Sequence, residues 1–371
     1  MKISCDRERL LHAFQTVASV APSRSPKPIL NNVKLDASPE GATLTATDLE
    51  IGIRHAVAGV DVQAPGSIIL SVARFGSILR ENTDQTIHIE SDGHGTTIRG
   101  ERSRFQLPGE NPAEFPPVAG FSEANFIEVP ARLLRELIRR TAFATDNESS
   151  RYALGGVKLE FDGGQITAIG ADGRRLAKMV GPVAVHGEPP GGQQNIIVPT
   201  RAMQLIERAI APSDSELKLA VRGSEFLVES PRATIAARLL EGRFPDWRKV
   251  FPSAGAGQQI ELAAGPTHAA VRQAAIVTSE ESRGIDFAFG GGSLVLSGKA
   301  AEVGQSRVEL PIAYAGDELV IVLDPRFLID FLKVLDAEKT FTMEIRDADS
   351  AAICSTDDGY SYVIMPLARD R

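Results

Sequence analysis

Only two cysteines occur in 371 residues, Cys5 and Cys354, one near each end. So low a count excludes a disulfide scaffold, and the separation excludes a zinc site, which needs ligands at short spacings. Such cysteine usage fits a reducing compartment. Aromatic residues are also scarce, at 6%, with a single tryptophan, Trp247. No apolar run reaches bilayer-spanning length, and Met1-Lys2-Ile3-Ser4-Cys5-Asp6-Arg7 lacks the apolar core of a signal peptide. A soluble, cytoplasmic chain without a membrane partner is expected. The six histidines (12, 55, 88, 94, 186 and 268) are scattered, with no pair at ligand spacing on a helix. Neither a Gly-x-Ser-x-Gly elbow nor a phosphate-cradling glycine loop ending in Lys-Ser/Thr is present. The expectation is therefore no catalysis, no cofactor and no metal. An unrecognised hydrolase is the enzymatic alternative, because catalytic carboxylates need no motif.

Positive charge is outweighed, 40 Lys and Arg against 48 Asp and Glu, for a net charge of −8. That balance counts against a nucleic-acid partner on average, yet a basic stripe on an acidic body still binds phosphate. Where the arginines point decides the matter.

What the sequence does contain is a repeat. The stretch Glu241-Gly242-Arg243-Phe244-Pro245-Asp246-Trp247-Arg248-Lys249-Val250-Phe251-Pro252 has prolines that suit neither a helix nor a central strand. It reads as a structured loop with Phe244 or Trp247 pinned against a neighbour. A shorter echo, Glu114-Phe115-Pro116, lies 129 residues upstream. Other landmarks fall in step. Leu10-Leu11 is matched by Leu133-Leu134, Asp48 by Asp172, and Arg74 by Arg201 and then Arg326. A period near 125 residues implies three tandem units, expected at 1–122, 126–252 and 258–371.

Each unit reads as two helices with many short strands, an α+β plan. Helices are expected near residues 7–20, 73–81, 130–144, 200–210, 267–277 and 324–333. Leu10, Ala13, Phe14 and Val17 form one apolar stripe, and Leu133, Leu134, Leu137 and Ile138 another. Opposite the second stripe lie Arg132, Arg135 and Arg139, at spacings of three and four. Arg201, Gln204 and Arg208 face outward from the next helix, and Arg326, Asp330 and Lys333 from the last. Asp48 and Asp172, being matched, suggest a shared turn role. Residues 187–192 and 253–257 read as a surface loop and a small-residue link.

Taken in order, these residues resemble the bacterial DNA polymerase III beta subunit, the replicative sliding clamp. The carrying motifs are Met1-Lys2-Ile3 with Leu10-Leu11, Pro28-Ile29-Leu30-Asn31-Asn32, Thr47-Asp48-Leu49-Glu50 and Arg102-Ser103-Arg104-Phe105. Further along come Ala171-Asp172-Gly173-Arg174-Arg175-Leu176-Ala177, residues 241–250, and Tyr362-Val363-Ile364-Met365-Pro366. The resemblance covers the whole chain. It implies three alike domains, each with two helices against antiparallel sheets, and a head-to-tail homodimer closed into a ring around duplex DNA. A dozen helices at about 10 Å spacing would give a circumference of roughly 120 Å, wide enough for a duplex to slide through. Lys and Arg facing phosphates would retain DNA without reading sequence.

By the same resemblance Arg24 and Tyr152 join the helix-face arginines (132, 135, 139, 201 and 208) as DNA contacts. Ala153 follows Tyr152 where the family often carries a second aromatic, which weakens stacking on single strands. The dimer seam implied is Phe105 and Leu107 against Ile276 and Val277, with strand edges near Arg104 and Glu302 pairing. A cleft for short linear motifs is also implied. Such motifs would come from the polymerase III alpha subunit, the clamp loader, other polymerases and repair proteins. Carried over by position, its walls are Leu154, Ala171, Gly173, Arg174, Arg175, Leu176, Pro245, Lys249, Val250, Ser350, Val363, Met365, Pro366 and Leu367. Ala171 and Arg174 stand where Thr and His are expected, so a shifted motif preference follows. A scaffold that binds partners without encircling DNA is the other non-catalytic reading.

Overall fold

A computed structural model describes the chain except residues 93, 147, 149–152, 189–194, 212–213, 252–256, 281 and 369–371. Its elements recur in one order. The first repeat runs β1 (Lys2–Asp6), α1 (Arg7–Ala18), β2 (Asn32–Ser38), β3 (Gly41–Thr47), β4 (Ile51–Val57), β5 (Val60–Ala64), β6 (Gly66–Ser71), α2 (Val72–Glu81), β7 (Thr86–Ser91), β8 (Gly95–Arg99) and β9 (Arg104–Pro108). The second runs β10 (Phe126–Pro130), α3 (Ala131–Thr141), β11 (Gly156–Asp162), β12 (Gln165–Ala171), β13 (Arg175–Pro182), β14 (Ala184–His186), β15 (Ile196–Pro199), α4 (Thr200–Ala209), β16 (Glu216–Arg222), β17 (Glu225–Glu229) and β18 (Ala233–Arg238). A short α5 (Trp247–Val250) leads into the third: β19 (Gln258–Ala263), α6 (Ala264–Ala274), β20 (Ile285–Gly290), β21 (Ser293–Ala300), β22 (Gly304–Pro311), β23 (Leu319–Leu323), α7 (Pro325–Lys333), β24 (Thr340–Ile345), β25 (Ala352–Ser355) and β26 (Tyr360–Ile364). Strand, helix, strands, helix and three strands appear three times. Among the described residues the third repeat lacks one strand before its second helix.

The helices form where periodicity and capping agree. Asp6 accepts the Arg9 amide at 2.9 Å and starts α1, which buries Leu10, Ala13, Phe14 and Val17. Ser71 and Asp324 cap α2 and α7 in the same way. In α3 Leu134, Leu137 and Ile138 are buried, whereas Arg132 and Arg139 are exposed. The expected helix over 130–144 ends earlier, at Thr141, and closes in a tighter turn over Ala142–Ala144. The stretch 241–252 is corrected in one respect: between its prolines one helical turn, α5, does form. Both candidate anchors are used, Phe244 and Trp247 being buried.

The chain divides into two compact units, each described separately. Unit 1 comprises Met1–Leu134, Val183–Gln194 and Arg201–Leu239. It holds a five-stranded sheet, β5-β1-β7-β8-β9, and a nine-stranded sheet, β14-β10-β16-β17-β18-β4-β3-β2-β6. Here β18, which closes the second repeat, pairs antiparallel with β4 of the first, with Gly52 opposite Ala236. Unit 2 comprises Arg135–Pro182, Asn195–Thr200 and Leu240–Arg371. It holds an eight-stranded sheet, β15-β11-β12-β13-β26-β25-β24-β19, and a four-stranded sheet, β22-β21-β20-β23. Here β26, which closes the third repeat, pairs with β13 of the second, with Leu176 opposite Val363. One pairing rule thus operates in both units.

The matched aspartates make matched turns. Asp48 Oδ1 accepts the amides of Glu50 at 3.0 Å and Ile51 at 2.7 Å. Asp172 Oδ1 accepts those of Arg174 and Arg175, both at 2.9 Å. The residue between must take a positive φ, which is 87° at Gly173 and 79° at Leu49. Leu49 is the one described non-glycine residue in this region, and its half-exposed side chain gains little from burial. A Cβ in that conformation costs about 1–2 kcal/mol. Leu49→Gly should therefore stabilise the protein by about 1 kcal/mol, less a little backbone entropy. Denaturant unfolding measures this, and a lower midpoint for the variant would show that Leu49 is held by something other than the turn.

Candidate functional site

In unit 2 the β13–β26 pairing brings distant apolar residues onto one patch. Leu154, Ile169, Ala171, Leu176, Ile197, Phe244, Trp247 and Val363 form one buried cluster, with Ala153, Leu240, Phe251 and Ala351 packed at its margin. Backbone bonds fix the strands and loops around it. The Met365 amide donates to the Arg174 carbonyl at 2.9 Å, the Ala153 amide to Arg243 at 3.1 Å, and the Leu240 amide to Ile197 at 2.9 Å. Around this floor, Gly173, Arg174, Lys249, Val250 and Met365 are exposed, while Pro245, Ser350 and Pro366 are half-buried.

Most of the residues expected to line a cleft are thus brought together, with two exceptions. Leu367 turns away: its amide donates to Val322 at 2.9 Å, and its side chain lies over Gly284. Arg175 is no rim cation. Its guanidinium donates to Asp172 at 2.9 Å, Asp330 at 2.7 Å and the Phe143 carbonyl at 3.0 Å, and packs over the Phe327 ring. Burial opposes its charge, but Tyr362, Asp330 and Asp172 outweigh that and raise its pKa. Ile169 and Ile197, missing from the expected walls, belong to the floor. Their signal was a continuous apolar run, Ile196-Ile197-Val198 in β15 and Ala168-Ile169 in β12, the pattern of strands covered on both faces.

Polar contacts hold the tryptophan side. Trp247 Nε1 donates to Glu160 Oε1 at 3.1 Å, and Arg248 donates to Oε2 of the same carboxylate at 2.7 Å. Burial raises the Glu160 pKa, yet Arg248, Trp247 and Lys158 prevail and lower it. Lys178 sits over the Trp247 and Phe251 rings, its own pKa lowered by burial and by Arg248. Beneath the sheet, Phe331 stacks on both Tyr360 and Tyr362, and Arg140 covers Tyr360. Arg140 donates to Asp358 at 2.8 Å. Burial works against that carboxylate, but Arg140, Thr356 and Lys339 hold its pKa down to about 2.

The basic helix residues divide by their partners. Arg24, Arg132 and Arg208 are exposed, with no ion pair to another described residue. Arg135 is half-buried and has an interaction of its own. Arg139 pairs with Glu136 at 3.1 Å and donates to the Val334 carbonyl at 2.8 Å. Arg201 pairs with Asp48 and donates to the Val20 carbonyl. Arg326 is held by Asp324, the cap of its own helix. Spacing alone predicted exposed charge for these residues and did not foresee the partners. Tyr152 lies outside the described residues, as do most of 187–192 and 253–257.

Two of the edge strands carry or adjoin large exposed apolar side chains. In unit 1 β9 ends the five-stranded sheet and carries exposed Arg104 and Phe105 and half-buried Leu107. In unit 2 β22 ends the four-stranded sheet, beside Ile276 at 75% exposure and half-buried Val277. Glu302 was expected on a strand edge; it lies in the turn before β22, next to Val303 at 54% exposure, which the sequence reading missed. Unpaired strand edges with large exposed apolar side chains mark association surfaces.

Comparison with known proteins extends over the whole chain. Sequence profiles for the DNA polymerase III beta subunit match in series: the N-terminal domain over residues 1–119, the central domain over 128–246 and the C-terminal domain over 248–368. A beta sliding clamp from Chlamydia muridarum is 29% identical over 99% of this chain and 99% of its own length. The beta sliding clamp of Escherichia coli is 27% identical, covering 99% of this chain and 100% of itself. A crystal structure of the DNA polymerase III subunit beta from Pseudomonas aeruginosa is similar at TM-score 0.88 and 28% identity, over 99% of this chain and 100% of that one.

Proposed function

Because the chain belongs to the DNA polymerase III beta subunit family from end to end, its function is that of a DNA sliding clamp, and we propose that it works as a head-to-tail homodimeric ring. It is a non-catalytic processivity subunit, built of three tandem domains, and its partners are DNA and polymerase.

One observation carries the ring reading. The last strand of a repeat pairs with the strand after the Asp turn of the repeat before it: β18 with β4, β26 with β13. Among the described residues the first repeat's last strand, β9, has no partner on its outer side, and neither has β22, the third repeat's counterpart of β4 and β13. A second copy satisfies both, twice over, and closes the chain of repeats into a ring. The register follows from the seams already made. Gly52 of β4 and Leu176 of β13 make the ladder pair nearest the turn, opposite Thr47 and Ala171, as Gly304 of β22 does opposite Ala300. Gly304 then faces Leu107 of the next protomer, and Gln305 faces Gln106. Phe105, Leu107, Ile276, Val277 and Val303 supply the apolar contact, flanked by Arg104 and Glu302.

Retention without sequence choice needs cations that meet phosphates and no base readers. Arg24, Arg132 and Arg208 suit that task best, with Arg135, and with Tyr152 by resemblance. Arg139 and Arg201 rank below them because internal acceptors already hold their guanidinium groups. The cluster in unit 2 serves as the docking groove for short motifs of the polymerase III alpha subunit, the clamp loader and other DNA enzymes. Leu176, Val363 and Met365 would bury an apolar side chain, worth roughly 1.5–3 kcal/mol each, and Arg174 and Lys249 orient the peptide. Micromolar exchange then lets partners alternate. Work on DNA with motif-bearing replication proteins, and two buried reduced cysteines, favour the cytoplasm. No helix among the described residues is long and apolar enough to cross a membrane. The domains are bounded at 1–122, 126–252 and 258–371.

Two results test this reading. Mild oxidation of a Gln106→Cys, Gln305→Cys variant should yield covalent dimers, since Cys5 and Cys354 are buried. Monomer alone under those conditions would contradict the register and the ring. Met365→Ala should weaken binding of a synthetic peptide copied from the polymerase alpha subunit's clamp-binding segment by about tenfold. Unchanged affinity would place the groove elsewhere.

A further inference from the structure

Unit 1 contains a cleft of about 510 Å³ that belongs to neither the groove nor the sheet edges. Glu8, Arg9 and His12 of α1 form one side, His55 of β4 the floor, and Arg232, in the turn between β17 and β18, the other side. The seam explains the gathering: the Ala56 amide donates to the Arg232 carbonyl at 2.8 Å, and His55 stands opposite Ala233. A Cβ on Gly59 would meet Arg9 Nη1 at 3.0 Å, so the missing side chain gives that guanidinium its place.

The charges do not cancel. Glu8 is held by Arg7 at 3.1 Å. Asp214 stands 4.0 Å from Arg232, and its other oxygen accepts the Ala211 amide. Among the described residues Arg9 and His12 make no ion pair, and the acid that acts on His55 is Asp214. His55 is the informative member, at 7% exposure. Its Nδ1 lies 2.8 Å from the Ala56 carbonyl, which only accepts, so Nδ1 carries a hydrogen. Nε2 is then a lone pair in the neutral ring and becomes a donor only on protonation. Burial lowers the His55 pKa, and His12 and Arg232 add to that, against the Ala56 carbonyl and Asp214. An oxyanion beside the ring would reverse the balance and take up a proton with it.

We propose that this cleft binds a phosphate group, either a free phosphate or the backbone phosphate of a nucleic acid, through Arg9, Arg232 and the imidazoles of His12 and His55. The free-phosphate arm of the test does not depend on the clamp reading. Imidazole C–H resonances of the full chain would be followed as inorganic phosphate is added against matched sodium chloride, and again with a short duplex. At about pH 6 the His55 signal should saturate with phosphate, with the duplex, or with both; which one identifies the source. For the duplex, whose phosphodiesters keep one charge throughout, the dissociation constant should rise about tenfold toward about pH 8, as one imidazolium donor is lost. Arg9→Gln combined with Arg232→Gln should abolish the response, and His12→Gln, on an exposed helix face, should weaken it without risk to folding. Overturning results are changes no larger than with sodium chloride in both arms, equal affinity for the duplex at both pH values, or a response that survives the Arg9 and Arg232 substitutions.

Discussion

Strand pairing between successive repeats is the constraint on which everything else rests. A strand edge presents amides and carbonyls that must find partners, and each repeat ends on such an edge. In unit 2, β26 meets it by running along β13 from Arg175 opposite Ile364 to Met179 opposite Tyr360. That ladder sets Leu176 beside Val363, and with them the whole apolar patch at the seam. Unit 1 obeys the same rule with β18 and β4. Among the described residues β9 and β22 are left without such a partner.

The same seam keeps an apolar side chain exposed beside a core. Leu176 and Val363 are buried, but Met365, one residue past the strand, is exposed while its amide remains tied to Arg174. The Asp172 turn that carries Gly173 and Arg174 is braced by Arg175, which reaches Asp330 of α7 and the Phe143 carbonyl. A rim braced in this way need not be ordered when a peptide arrives, which limits the entropy lost on binding. On the proposed docking reading, a partner would fill apolar space and meet the cations Arg174 and Lys249.

Much of this was legible in the sequence. The helical stripes were read from spacing, since burial of one face imposes its period on any amphipathic helix. The matched Asp48 and Asp172 were read as turn residues, and each accepts two amides two and three residues on. Periodicity says which face of an element is inside but not what lies opposite, and the misses follow from that. Arg139 and Arg201 were read as available cations and Arg175 as a wall of the cleft, yet each donates to a carbonyl or carboxylate 32 to 195 positions away. Val303 went unnoticed because a lone valine in a turn has no pattern to belong to. The helical turn of α5 was too short for any period to register.

Encirclement of DNA is the central claim, and topology tests it more directly than affinity does. The clamp would be placed by its loader on a nicked circular plasmid and separated from free protein in salt high enough to screen phosphate contacts. A ring should stay with the circle and leave when a single cut makes the same plasmid linear. Equal retention on circular and linear DNA, or loss from both, would contradict it.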